Sequence, residues 1–213
     1  MSKKGILITL EGNEGCGKST QIKLLYHYLK KEGYTVYLTR EPGGTHIGNM
    51  IRRILLDTKN REMSPVCETL LYMASRAQLV KEIVIPKLKE GNIVLCDRWL
   101  DATLAYQGYG AGMDIEWIRN LGRVATAGVI PKATIFMDLP VEIGLKRATS
   151  FKKADRMEEK EVLFHKKVRA GYIAIAQRES RRIQRLKIKE DDTIWVVHEK
   201  IRNIVQNAIS KNK

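Results

Sequence analysis

The sequence predicts an α/β domain of three layers, a five-stranded parallel sheet flanked by helices. Two observations carry that expectation. Short apolar, β-prone runs alternate with segments of helical spacing, the order that builds a parallel sheet covered on both faces. The first run also ends in a glycine-rich loop that opens directly into a helical segment, a strand-loop-helix unit typical of such sheets.

The first predicted strand is Ile6-Leu7-Ile8-Thr9-Leu10, and the segment after the loop carries Ile22, Leu25 and Leu29 at helical spacing. Gly33 ends this helix as a C-cap residue, and Tyr34-Thr35-Val36-Tyr37-Leu38 is the second strand. Gly91 closes a later helical stretch in the same way, before the third strand, Ile93-Val94-Leu95-Cys96. The fourth is Ala133-Thr134-Ile135-Phe136-Met137. A long helix is expected from Met157 to about Leu186, with Val162, Val168, Tyr172 and Ile175 as its buried stripe, and Thr193-Ile194-Trp195-Val196-Val197 is the expected fifth strand. No proline- or serine-rich linker and no internal repeat interrupts the series, so residues 1–213 are read as one domain.

Composition bounds the function. The chain has 213 residues, 44% hydrophobic, enough for one good core. No apolar run approaches the roughly 18 residues of a membrane span, and the five apolar-type residues before Glu11 are too few for a secretory signal, so a cytoplasmic location is expected. Cys16, Cys67 and Cys96 are odd in number and scattered, which favours reduced thiols over disulfides or zinc. The four histidines show no metal-ligand spacing. A net charge of +14 invites nucleic acid as a partner, but residues 140–190 alone hold 15 Lys and Arg against 7 Asp and Glu. Arg178, Arg181, Arg182 and Arg185 there read as a solvated helical face, so nucleic acid is a minority expectation.

Chemistry concentrates in Gly12-Asn13-Glu14-Gly15-Cys16-Gly17-Lys18-Ser19, which matches G-x-x-x-x-G-K-[ST]. Glycines let consecutive backbone N–H groups converge on one anion site, and the following helix adds its positive end. Lys18 then reaches the β/γ-phosphates of a nucleotide, and the Ser19 hydroxyl is a ligand for Mg²⁺. Cys16 reads as a small residue that fits there. Two strands end in carboxylates, Asp97 and Asp138. Asp97, followed by Arg98, is favoured for the metal or the acceptor, and Asp138 for bracing a loop. Arg40, Arg52, Arg76 and Arg98 lie at strand ends or on nearby helices, and planar guanidinium forks suit phosphate, so a second phosphate-bearing ligand is expected opposite the loop. N-K-x-D and D-x-x-G, which a GTP switch needs, are both absent.

The ordered set Glu11 to Thr20, Thr39-Arg40-Glu41-Pro42-Gly43-Gly44-Thr45, Ser75-Arg76-Ala77-Gln78, Cys96-Asp97-Arg98, Ala105-Tyr106-Gln107-Gly108 and Asp155-Arg156-Met157-Glu158 resembles the thymidylate kinase family. The resemblance covers most of the chain. It implies the P-loop NTPase fold with a mobile lid over about 148–156, ATP with Mg²⁺ as phosphoryl donor, thymidine monophosphate as acceptor, and a homodimer joined through apolar helix faces. It places Glu14 at the acceptor's 3′-hydroxyl, Arg52 and Arg98 on its phosphate, and Tyr72 against thymine with Arg76 and Thr103 at the base edge. Tyr106 crowds the 2′ position, and Arg40, Glu41, Pro42 and Gln107 complete the acceptor site. Members that lack an arginine after the loop glutamate usually carry arginines in the lid. Here Gly15 follows Glu14, and Thr149 and Phe151 stand at the lid positions where arginine is expected, leaving Lys152, Lys153 or Arg156 to supply the transition-state charge. A kinase of another nucleoside monophosphate or nucleoside, and a nucleic-acid-binding module switched by ATP, are the competing readings. Trp99 and Ala102 also depart from the pattern and bear on pocket shape.

Overall fold

A computed structural model describes residues 5–149 and 155–210. Its centre is a parallel sheet of five strands in the order β2-β3-β1-β4-β5: β1 Ile6–Glu11, β2 Val36–Arg40, β3 Ile93–Asp97, β4 Ala133–Asp138 and β5 Ile183–Lys187. β1 lies in the middle, with Leu7 opposite Val94 and Leu10 opposite Ile135. All six β1 residues are buried, which explains why the strand reads as a continuous apolar run instead of an alternation.

Side chains of β1 point alternately to two covered faces. Ile6, Ile8 and Leu10 pack with Ile22, Leu25 and Leu29 of α1 (Lys18–Lys31) and with Val197, Ile201, Val205 and Ile209 of α9 (Ile194–Ser210). Leu7, Val94 and Cys96 pack with Leu79, Val80 and Val84, where α3 (Pro65–Leu79) continues through a π-helical turn, Val80–Val84, into α4 (Ile85–Lys89). A further apolar cluster on the second face joins Phe136 of β4 to Val168, Tyr172 and Ile175 of α8 (Val162–Arg178) and to Leu104 and Tyr106. The remaining helices are α2 (His46–Leu56), α5 (Leu100–Thr103), α6 (Ile115–Ala125) and α7 (Val141–Thr149), with a π-helical stretch, Leu104–Gly110, after α5. Three layers with both sheet faces covered bear out the expected class.

Four strands fall where expected, with shifts. β2 starts two residues late because the chain is still turning: Gly33 takes φ 82° and the Tyr34 amide donates to the Leu29 carbonyl. The fifth strand is a correction. Residues 193–197 open α9, whose first turn is tied down by Thr193 through its hydroxyl and carbonyl to the amides of Val196 and Val197. β-branched residues suggested a strand, but Val197, Ile201, Val205 and Ile209 recur every four residues, and burial of that stripe overrides local propensity.

The actual β5 lies inside the stretch expected to continue the long helix. α8 stops at Arg178, and Ile183 and Leu186 are the buried apolar positions of a mostly polar edge strand. Of the basic run Arg178, Arg181, Arg182 and Arg185, only Arg178 lies on a helix. Arg182 forks onto Asp101 at 2.7 and 2.8 Å, and Arg185 pairs with Asp138 at 2.7 Å, so two of the four arginines neutralise carboxylates at the sheet. Asp138 also takes Arg169 of α8 at 2.7 Å, so it ties a helix and a strand to the end of β4 where a braced loop was expected. Val162 lies outside the buried stripe, 46% exposed, while Val168, Tyr172 and Ile175 are buried. Among the described residues no helix is long and apolar enough to cross a membrane.

Candidate active site

At the carboxyl ends of β1, β2 and β3 lies a cavity of about 480 Å³. In an open parallel sheet this is where ligands bind, beside the strand at which connections change direction. The loop after β1 forms one wall. Gly12, Gly15 and Gly17 take φ of 143°, 65° and 92°. At Gly15 the requirement is absolute: a Cβ there would sit 1.9 Å from the Gly144 carbonyl oxygen of α7. An arginine at this position would force α7 away from the loop.

Glu14, Gly15, Gly17, Lys18, Ser19 and Thr20 line the cavity, whereas Gly12, Asn13 and Cys16 support it from behind. The Lys18 ammonium donates to the carbonyls of Gly12 at 2.9 Å and Asn13 at 2.7 Å, which pins the loop's curl. Cys16 is buried in the core under α1. The Ser19 hydroxyl donates to Asp97 Oδ2 at 3.2 Å, so the two predicted metal ligands converge on one spot of the cavity floor.

The same cavity is lined by every predicted acceptor-site residue: Glu14, Arg40, Glu41, Pro42, Arg52, Tyr72, Arg76, Arg98, Thr103, Tyr106 and Gln107. Arg52 lines the cavity and donates to the Pro42 carbonyl at 2.9 Å. Arg76 is almost wholly buried between Glu41 Oε2 at 2.7 Å, Thr103 Oγ1 at 3.1 Å and the Trp99 carbonyl at 3.2 Å. Burial raises the Glu41 carboxyl and Arg76 opposes that rise. Gln107 donates to Glu68 Oε1 at 2.7 Å. Tyr72 stays a phenol, because burial and the neighbouring Glu68 both push its titration upward.

Arg98 is the hub. Its backbone takes φ 74°, a left-handed conformation that costs a non-glycine residue of order 1–3 kcal/mol and is retained when its surroundings overdetermine it. Nη1 donates to the Gly12 carbonyl at 2.9 Å and the Tyr172 hydroxyl at 3.2 Å. Nη2 donates to Glu14 Oε1 and the Tyr106 hydroxyl, both at 3.2 Å. The guanidinium also lies 4.9 Å from the centre of the Tyr106 ring, a cation–π contact.

Two carboxylates flank this hub, their titrations shifted in opposite directions. Burial works to raise Glu14, but His165, Arg98, Lys18 and Tyr106 outweigh it and hold the group near 2, so it is an anion. Glu11, fully buried at the end of β1, is pushed up to about 8 by burial and by the Asp101 charge, against the opposing pull of Arg98. The Tyr172 hydroxyl donates to Glu11 Oε2 at 2.8 Å and the Trp99 amide to Oε1 at 2.6 Å.

The lid residues divide. Lys152 and Lys153 lie outside the described residues. Arg156 does not face the cavity: it is buried, paired with Glu68 at 2.5 Å, and donates to the Leu55 carbonyl at 2.8 Å. In this conformation it fastens the chain at residue 156 to α2 and α3. Arg147, on the last turn of α7, lines the cavity and donates to the Glu190 carbonyl at 3.1 Å.

Sequence reading missed Glu11, His165 and Tyr172 as site residues. Tyr172 was read only as core, which it is by burial, yet its hydroxyl joins Glu11 to Arg98. The available signal was the i, i+7 spacing of His165 and Tyr172, two polar groups on the apolar stripe of one helix.

A family model described as thymidylate kinase matches residues 10–201. A thymidylate kinase of Geotalea uraniireducens is 52% identical over 184 residues, 84% of this chain and 86% of that protein. One from Thermoanaerobacter is 49% identical over 174 residues, 82% of this chain and 85% of that protein. The crystal structure of thymidylate kinase from Ehrlichia chaffeensis superposes with a TM-score of 0.77 at 32% identity, covering 95% of this chain and 99% of that one.

Proposed function

The chain belongs to the thymidylate kinase family, whose reaction is transfer of a phosphoryl group from ATP to thymidine monophosphate, and we propose how its own residues divide that work. The observation that carries the proposal is the gathering of Lys18, the loop glycines, Arg52 and Arg98 around one cavity, with Lys18 and Arg98 both donating to the Gly12 carbonyl at 2.9 Å.

Phosphoryl transfer asks little covalent chemistry of a protein. It needs the two nucleotides in line and charge stabilised around the moving group. ATP lies along the loop after β1, its β- and γ-phosphates taken by backbone amides and Lys18. Ser19 and Asp97 would hold Mg²⁺: two hard oxygen donors 3.2 Å apart fit an ion that keeps most of its other positions for water and phosphate. Bound there, the ion supplies charge neutralisation on the phosphates. Arg98, fixed by four acceptors, and Arg52 grip the acceptor phosphate and aim its oxygen at the γ-phosphorus. Tyr72 stacks on the base, Arg76 and Thr103 meet its edge, and Tyr106, locked by Glu14, closes the 2′ side of the sugar. Glu14 accepts from the 3′-hydroxyl.

The lid, about 148–156, closes over the donor and keeps water from the γ-phosphate. Of its candidate cations, Arg156 is engaged with Glu68 below the lid, so the transition-state charge is assigned to Lys152 or Lys153, with Arg147 already at the cavity wall.

Exposed Ile47, Met50 and Ile54 on α2 continue into Val66 and Leu70 on α3, an apolar face that suits a homodimer. We place the enzyme in the cytoplasm, in line with its free cysteines. A coupled ADP-release assay across deoxynucleoside monophosphates tests the substrate: thymidine monophosphate gives the highest kcat/KM. A higher value with another nucleotide overturns this assignment, and ATP turnover that needs DNA or RNA overturns the kinase reading.

A further inference from the structure

Behind the phosphate loop stands a histidine that the reaction scheme leaves unused. His165, in the first turn of α8, is fully buried, and its Nδ1 lies 3.2 Å from Glu14 Oε2. Its own carbonyl accepts from the Asn13 side chain at 3.3 Å, so the start of α8 is fastened to the same loop that carries Glu14. Neither ring nitrogen meets hydrogen-bond geometry with a described partner, and Glu14 Oε2 has none either.

The Glu14 carboxylate is held unevenly. Tyr106 at 2.5 Å and Arg98 at 3.2 Å both donate to Oε1. Two donors on one oxygen fix where that oxygen lies, but leave the plane of the carboxylate free to turn about it. The direction of Oε2 is then decided by what stands beside it, and that is the imidazole. An unpaired buried oxygen next to a ring N–H donor is costly unless the two approach in line or a ligand completes the set.

We propose that His165 is a positioning residue for Glu14: its Nδ1–H orients Oε2, and through it sets how the carboxylate meets the sugar hydroxyl of the acceptor. This rests on the reading of Glu14 given above. His165 touches neither nucleotide. Its effect should therefore appear in discrimination between acceptors that have or lack the 3′-hydroxyl, and not in the handling of ATP.

The test is steady-state kinetics with thymidine monophosphate and its 3′-deoxy analogue for the parent, E14Q, H165L, H165Q and H165N, with thermal unfolding of each. In E14Q the preference for the hydroxylated acceptor falls, on the order of tenfold for one hydrogen bond to a charged group. H165L and H165Q lower the preference by a similar factor with KM for ATP unchanged. H165N restores most of it, because an asparagine amide nitrogen stands where Nδ1 was and a glutamine nitrogen does not. A purely structural role predicts the reverse order, since glutamine and leucine fill the buried space better than asparagine. If E14Q keeps the parent preference, the reading of Glu14 fails and the positioning role falls with it. If E14Q loses the preference while H165L keeps it, the positioning role alone is overturned. Should H165L not fold, H165N against H165Q decides.

Discussion

Arg98 shows how much one residue can carry. It directly follows β3, bears a strained backbone, and spends four donor contacts on the Gly12 carbonyl, Glu14, Tyr106 and Tyr172 before any ligand arrives. A guanidinium so fixed is preorganised for an anion, and removing one such group from a transfer site costs roughly 10²–10³ in rate. Arg98→Ala is accordingly expected to raise the acceptor KM and lower kcat together in steady-state assays; parent-like kinetics with thymidine monophosphate would remove Arg98 from the clamp. Glu11 gives a pH prediction. Its titration is raised to about 8 in the fold against 4.5 for the ordinary carboxyl, so the folded state keeps a proton that the unfolded chain releases. Between those values the unfolded state gains as pH rises, and the protein loses stability. Glu11→Gln, which keeps the acceptor for the Trp99 amide, is expected to gain stability relative to the parent on going from pH 5 to pH 8 in denaturant titrations. A constant difference across that range would mean that Glu11 is ionised in the fold.

At the scale of elements, the loop and α7 form one unit. Glycine faces glycine where Gly15 meets Gly144, and a Cβ at position 15 would overlap the Gly144 carbonyl. Gly15→Ala should therefore cost more than the roughly 1 kcal/mol of left-handed strain alone, lower the melting temperature and abolish ATP-induced stabilisation; unchanged ATP binding by calorimetry would contradict the close packing. In the lid, alanine at Lys152 or Lys153 should lower kcat, whereas Arg156→Ala should mainly lower stability, because it strips a buried partner from Glu68. Thermal unfolding beside kcat separates the two. Elements were legible where burial and period agreed. β1, β3 and β4 are mostly apolar runs, and all eleven acceptor-site candidates line one cavity, some at or just after strand ends and the others on α2, α3, α5 and the π-helical stretch that follows it. β5 was hidden because its exposed and paired positions are polar, with Arg185 neutralised by Asp138, a contact that no local pattern announces. The start of α9 misled because β-branched residues there are held helical by burial of Val197 and Ile201. Glu11, His165 and Tyr172 were not legible because a polar tip on a buried side chain looks like core until its partner, distant in sequence, is known.

For the molecule as a whole, the sheet order places β1 between β3 and β4, so the donor loop and the Asp97-Arg98 corner share one rim. The +14 charge is partly consumed inside: Arg182, Arg185 and Arg169 answer Asp101 and Asp138, while Arg40, Arg52 and Arg98 line the cavity. On the outside, the α2–α3 apolar face predicts that Ile47→Asp with Met50→Asp turns a dimer into a monomer in light-scattering measurements; a parent protein already monomeric at assay concentration would remove the interface. One cavity that takes a donor phosphate at Lys18 and an acceptor phosphate at Arg52 and Arg98 is what everything else depends on. The most direct measurement is a crystal structure with a non-hydrolysable ATP analogue and thymidine monophosphate bound together. The acceptor phosphate should lie between Arg52 and Arg98 with an oxygen pointing in line at the γ-phosphate held by Lys18; an acceptor bound away from Arg98, or with its phosphate turned from Lys18, would contradict it.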